Sequence, residues 1–152
     1  DFMKIIAQNK KARFDYMVLD TVETGIVLKG SEVKSLRAGH LVLNGAFATF
    51  HGGELFMINA KITAYANAYD KSEDNTTRSR KLLMHKKELN KLFGQVSQKG
   101  ITLVPLKVYF NNKGLVKVEI GLCKHKNAAN KKQALKEKDI KRDTDREIKS
   151  HR

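Results

Sequence analysis

Tryptophan is absent from the 152-residue chain, and proline and cysteine occur once each, as Pro105 and Cys123. A lone cysteine excludes an internal disulfide and suits a reducing cytoplasm. Long apolar runs are missing as well. No stretch approaches the roughly 20 residues that cross a bilayer as a helix, and the apolar part of the opening DFMKIIAQNKK is too short for a signal peptide. Natural chains rarely begin Asp-Phe, so Met3 reads as the native start after two extraneous residues. Acidic residues are scarce: 16 stand against 30 lysines and arginines, for a net charge of +14 and a pI near 9.9. That much charge repels itself in a folded monomer and points to a polyanionic partner, nucleic acid ahead of an anionic membrane. The 41% hydrophobic content still predicts a modest core.

Familiar catalytic patterns are also lacking. His40, His51, His85, His125 and His151 are scattered, and none pairs with another ligand at metal-binding spacing. Phosphate-cradling loops, nucleophile elbows and dinucleotide fingerprints do not occur. Cys123 lies among lysines that could lower its pKa, but a small half-buried residue closing a strand is the simpler expectation. The chain is therefore expected to be no enzyme, with neither metal nor cofactor.

Composition shifts near Leu122. A domain over residues 1–122 is followed by a basic tail, 123–152, with 11 Lys/Arg and 5 Asp/Glu. In the domain, FDYMVL (14–19) predicts a strand, with Gly25-Ile-Val-Leu as its continuation or partner. GSEVKSLRAG (30–39) predicts a short helix capped by Ser31 and stopped by Gly39. AFATF (46–50) and ELFMINAKI (54–62) flank His51-Gly52-Gly53 as a hairpin. Tyr65 to Thr77 reads as a long surface loop. Leu89, Leu92 and Phe93 predict a helix ending before Gly94. ITLVPLKVYF (101–110) predicts a strand in which Pro105 marks an edge or a bulge. After the turn NNKG (111–114), Val116, Val118, Ile120 and Leu122 alternate as a half-buried strand. Hairpin-joined strands with inserted helices predict a mainly β fold, an OB-like closed barrel with accessory helices.

Cations gather in four groups: Lys10, Lys11 and Arg13 beside Asn9; Lys34 and Arg37; Arg78, Arg80 and Lys81 with Lys86 and Lys87; and the tail, opening with Lys124 and Lys126. RNA favours such a mixture, phosphates meeting Lys and Arg while loop bases meet polar groups and aromatics. Phe14 and Tyr16 are candidates for stacking, although alternating aromatics more often face a core. In the tail, the attractive spacings Glu137–Lys141 and Asp145–Lys149 are opposed by Lys132–Lys136, Lys138–Arg142 and Asp139–Asp143. The tail is therefore expected to be disordered when free and helical against a polyanion.

NKKARFDY (9–16), VETGIVLKGSEVKSLRAG (22–39), ELFMINAKI (54–62), TRSRKLLMHKKELNKLFG (77–94), GITLVPLKVYF (100–110) and KVEIGL (117–122) resemble successive blocks of the SsrA-binding protein family. The resemblance implies an OB-like barrel that binds the transfer-RNA-like part of transfer-messenger RNA. It also implies delivery of that RNA to stalled ribosomes, where the tail enters the messenger path and decoding centre. Alanyl-tRNA synthetase and elongation factor Tu are implied as functional associates. By position, the resemblance assigns RNA contact or support to Asn9, Glu23, Arg37, Leu83 and Lys117, with Leu83 equally suited to a core. Ribosome contact is implied for Asn130, Lys131, Lys132, Lys136, Lys138, Lys141 and Arg142. The chain departs from the family at four positions. His125 replaces a glycine, Asn130 an acidic residue, Ala129 an aromatic or imidazole side chain, and Phe14 a common histidine. Ala129 puts in question the stacking that the family pattern implies at that position, while Lys131 and Lys132 keep the charge.

Overall fold

The alternation of Val118, Ile120 and Leu122 becomes a strand in which these three side chains are almost completely buried. This strand, β9, is Val116–His125 in the computed structural model, which describes residues 4–63, 76–98 and 100–126. Preceding it are β1 (Lys4–Gln8), α1 (Lys10–Asp15), β2 (Tyr16–Ile26), α2 (Gly30–Arg37) and β3 (Leu41–Val42). Next come β4 (Phe47–His51), β5 (Glu54–Ile58), β6 (Lys61–Ile62), β7 (Arg80–Leu83), α3 (Lys86–Val96) and β8 (Thr102–Phe110).

Among the described residues, six strands close a ring in the order β4-β5-β7-β2-β9-β8, all neighbours antiparallel. Closure is made by the Ala48–Leu103 pairing of β4 with β8. β1 lies alongside the far half of β8, and β3 pairs with β6 in a separate two-stranded sheet. A closed ring removes most free edges, and the mainly β architecture with accessory helices is the one expected. Leu55, Met57, Leu92, Leu103, Val108 and Ile120 fill its interior at 1–2% exposure or less. Each such side chain contributes about 1.5–3 kcal/mol.

Local chemistry explains where elements begin and end. Gly52 and Gly53 both have positive φ, the backbone that a two-residue hairpin turn requires, and His51 pairs with Glu54 around them. α2 is not capped by Ser31. Its cap is Lys29, whose N–H donates to the Glu32 carboxylate at 2.8 Å, and Ser31 lies in the first turn. Gly39 and His40 close α2 by donating to Leu36 and Ser35 carbonyls at 2.9 and 3.0 Å. At Gly121 a Cβ would come within 2.8 Å of Leu106 Cδ1 and 3.1 Å of Cys123 Sγ, so any larger residue would have to displace these packed side chains.

Several expectations change. Phe14 and Asp15 belong to α1, which Asn9 nucleates by accepting from the Ala12 N–H at 3.1 Å. The strand expected over 54–62 breaks at Asn59, where φ is +62°. RKLL (80–83) forms β7, a strand hidden among cations. α3 runs through Gly94 to Val96, because Leu92 and Val96 continue the apolar stripe beyond the glycine. Pro105 is at a bulge, not an edge: the register of β8 on β9 shifts between Pro105 and Lys107. The expected boundary at Leu122 falls inside β9. Cys123 is fully rather than half buried, and burial pushes its thiol up to about 11. Of the loop expected over 65–77 only Thr76 and Thr77 are described. Met3 and the tail positions Asn130, Lys131, Lys132, Lys136, Lys138, Lys141 and Arg142 lie outside the described residues.

Candidate nucleic-acid interface

β2 and β9 pair from Tyr16–His125 at one end to Gly25–Lys117 at the other. Eight residue steps at about 3.3 Å place the two ends roughly 25 Å apart. Each end carries a different part of the site.

At the Gly25–Lys117 end, β2, β7, β9 and α3 border an open cleft of about 750 Å³. Glu23, Leu83 and Lys117 line it together, although the chain separates them widely. Gly25 pairs with Lys117 on one side and Leu83 on the other, which sets the three strands in register. Leu83 is 47% exposed, so it faces outward and is no core residue. From α3, Lys91 adds a cation, but Asp20, Glu23 and Glu88 add three carboxylates. This cleft is therefore mixed in charge, although the chain as a whole carries +14.

Behind Glu23 lies a network built from residues distant in sequence. The Tyr109 hydroxyl donates to Glu23 Oε2, and Lys107 bridges to Glu119 at 3.2 Å. Lys107 Nζ also lies 5.7 Å from the centre of the Tyr109 ring. The Pro105 bulge is the signal that was available: it resets strand parity, so that Lys107 and Tyr109 reach the outer face beside Glu119 and Lys117.

At the Tyr16–His125 end, the first and fourth cation groups merge. Lys126 donates its backbone N–H to Asp15 O at 2.9 Å and its Nζ to Arg13 O at 3.0 Å, while Lys124 pairs across from Met17. Lys10, Lys11, Arg13 and Lys124 are exposed here and Lys126 is half-buried, forming a basic shelf. Lys10 and Arg13 share a small recess with Lys107. Tyr16 is buried, its ring 4.4 Å from that of His125, whereas Phe14 is 37% exposed.

Other assigned residues have internal duties. Asn9 is 5% exposed, and besides its cap its Nδ2 donates to Pro105 O at 3.2 Å and Leu43 O at 3.4 Å. These bonds hold α1, and with it the shelf, against β8. Arg80 is completely buried, donating to Glu32 at 2.7 Å and to the Ala60, Arg78 and Thr76 carbonyls. Arg78 also binds Glu32, through Nε at 3.1 Å and Nη2 at 2.5 Å. Burial raises the Glu32 pKa, but the hydrogen bonds from Arg78, the Lys29 N–H and Arg80 outweigh it and hold the carboxyl below its ordinary value. Glu32, unremarked in the sequence, thus turns two candidate RNA cations into a structural cluster. Lys81 is half-buried and bridges to Glu54 at 3.0 Å. Lys34, Arg37, Lys86 and Lys87 remain exposed on α2 and α3.

The sequence pattern described as SmpB protein matches residues 6–150. The chain belongs to the SmpB protein family. Its SmpB-family relatives include the SsrA-binding protein of Shouchella clausii, 50% identical over 146 residues (96% of this chain, 92% of that one). That of Rickettsia bellii (strain OSU 85-389) is 48% identical over 148 residues and covers 97% of both chains. That of Coprothermobacter proteolyticus is 45% identical over 145 residues (95% and 97%). A solved SmpB-family structure, described as "tmRNA-SmpB: a journey to the center of the bacterial ribosome", superposes with a TM-score of 0.68 at 48% identity, covering 86% of this chain and 94% of that one. Among the described residues no group of three potential ligands is arranged to hold a metal, and no helix is long and apolar enough to cross a membrane.

Proposed function

We propose that this chain binds the transfer-RNA-like part of transfer-messenger RNA and delivers it to stalled ribosomes for trans-translation, releasing the ribosome and tagging the unfinished peptide. The observation that carries this is the meeting of Glu23, Leu83 and Lys117 in one cleft, in a chain similar to SsrA-binding proteins over nearly its whole length. Lys117 suits a phosphate, Leu83 an apolar base or ribose face, and Glu23 a hydrogen-bond donor of the RNA. The shelf of Lys10, Lys11, Arg13, Lys124 and Lys126 supplies the charge that a polyanion demands. Arg37 and Lys34 add exposed positive charge on α2.

The chain after β9 is the ribosome-directed arm, with Asn130, Lys131, Lys132, Lys136, Lys138, Lys141 and Arg142 facing the messenger path and decoding centre. Alanyl-tRNA synthetase and elongation factor Tu act on the same RNA. The protein works in the cytoplasm as a monomer, with no catalytic step of its own.

A competition assay tests this. Transfer-messenger RNA is expected to displace random RNA of equal length at concentrations lower by orders of magnitude. Equal competition would reduce the protein to a general single-strand binder.

A further inference from the structure

Glu23 is an exposed glutamate on a strand, directly opposite a second carboxylate, Glu119. Left to itself, such a side chain would sample many rotamers and repel its neighbour. Neither happens here. Lys107 draws Glu119 toward β8 with a 3.2 Å ion pair, and the Tyr109 hydroxyl takes hold of Glu23 Oε2. Tyr109 pairs with Lys117 on β9, so its side chain reaches past that strand to β2. Its body is only 5% exposed, although it stands on the outer face. A buried phenol spanning three strands to meet one surface carboxylate is a rigid strut. Among the described residues, Glu23 Oε1 receives no hydrogen bond, and Glu23 lines the cleft.

We infer that Tyr109 is a positioning residue for RNA binding: its hydroxyl fixes the Glu23 carboxylate so that Oε1 is already set to accept from an N–H or O–H donor of the RNA. The inference rests on the proposed function of the cleft and adds a residue that does not touch the RNA. Preorganisation is the physical gain, since a glutamate ordered beforehand loses no rotamer freedom on binding. Burial, the hydrogen bond to Glu23 and the charges of Glu23 and Glu119 all push the Tyr109 hydroxyl up, so it remains a donor at neutral pH.

A double-mutant cycle on the full chain is the test, with Kd for transfer-messenger RNA as readout and thermal midpoints as the folding control. Tyr109→Phe keeps the ring and removes only the strut's hydrogen bond. It is expected to weaken binding about three- to tenfold in the wild-type background, and by less than about twofold when Glu23→Ala is already present. An equal loss in both backgrounds, or no loss in the wild type, overturns the inference. If Glu23→Ala binds like the wild type, the inference falls because there is nothing to position. Failure of the proposed function reads differently: the unaltered chain would then show no preference for transfer-messenger RNA over random RNA.

Discussion

At the Tyr16–His125 end of the β2–β9 ribbon, five cations stand together, whereas at the Gly25–Lys117 end two lysines share a cleft with three carboxylates. The shelf cations gather around α1 and the end of β9 with no carboxylate bridged to them among the described residues, so their potentials add and favour a polyanion. Cleft charges largely cancel, so what the cleft offers a ligand is short-range hydrogen bonding and the exposed Leu83. We propose that one fold thus separates attraction from discrimination along a single pair of strands. A third region, the Glu32 cluster, ties the same residue types into ion pairs, with Arg80 fully buried.

The largest expected effect concerns what lies beyond the ribbon. Ending the chain after Lys126 keeps all of β9 and the shelf, and is expected to leave the Kd for free transfer-messenger RNA within a few-fold while abolishing peptide tagging on ribosomes. A large loss of affinity would show that the arm, not the ribbon, grips the RNA. Next in size is Arg80→Met. Breaking a buried, fully hydrogen-bonded ion pair costs about 3–5 kcal/mol, which urea denaturation will register. If Arg80 were an RNA contact instead, stability would hold and affinity would drop.

Smaller still is Leu83→Ala, which is expected to weaken binding several-fold while the slope of log Kd against log salt stays unchanged, because the cations all remain. A changed slope would erase the distinction between the two ends. The smallest effect is one of pH. Glu32 has a folded pKa below its ordinary value of 4.5, so its stabilising contribution is fully present above 4.5 and is lost as pH falls further through the folded value. Glu32→Gln is expected to flatten that acid-side decline in thermal stability. An unchanged decline would assign it to other carboxylates.

Much of this was legible in the sequence because the local signals agreed. Alternation in Val116–Leu122, the Gly-Gly turn and the short helix before Gly39 all form where expected, and the family resemblance places Glu23, Leu83 and Lys117. What escaped depends on contacts distant in sequence. β7 was hidden because Arg80 points inward, which is tolerable only where Glu32 from α2 meets it. Asn9 reads as a polar surface residue until the carbonyls of Leu43 and Pro105 surround it. Tyr109 looks like an ordinary strand aromatic until the bulge at Pro105 turns it outward. Charge counting alone overstates the RNA-facing surface, since it cannot tell a spent arginine from an available one.

The central claim, that attraction belongs to the shelf and discrimination to the cleft, is most directly tested by measuring Kd for transfer-messenger RNA across a salt series. The wild type is to be compared with the variant carrying Lys10→Gln, Lys11→Gln and Arg13→Gln. The account predicts a shallower salt slope for the variant, by about one unit for each phosphate no longer neutralised, with the preference over random RNA retained. Parallel slopes, or a vanished preference, would contradict it.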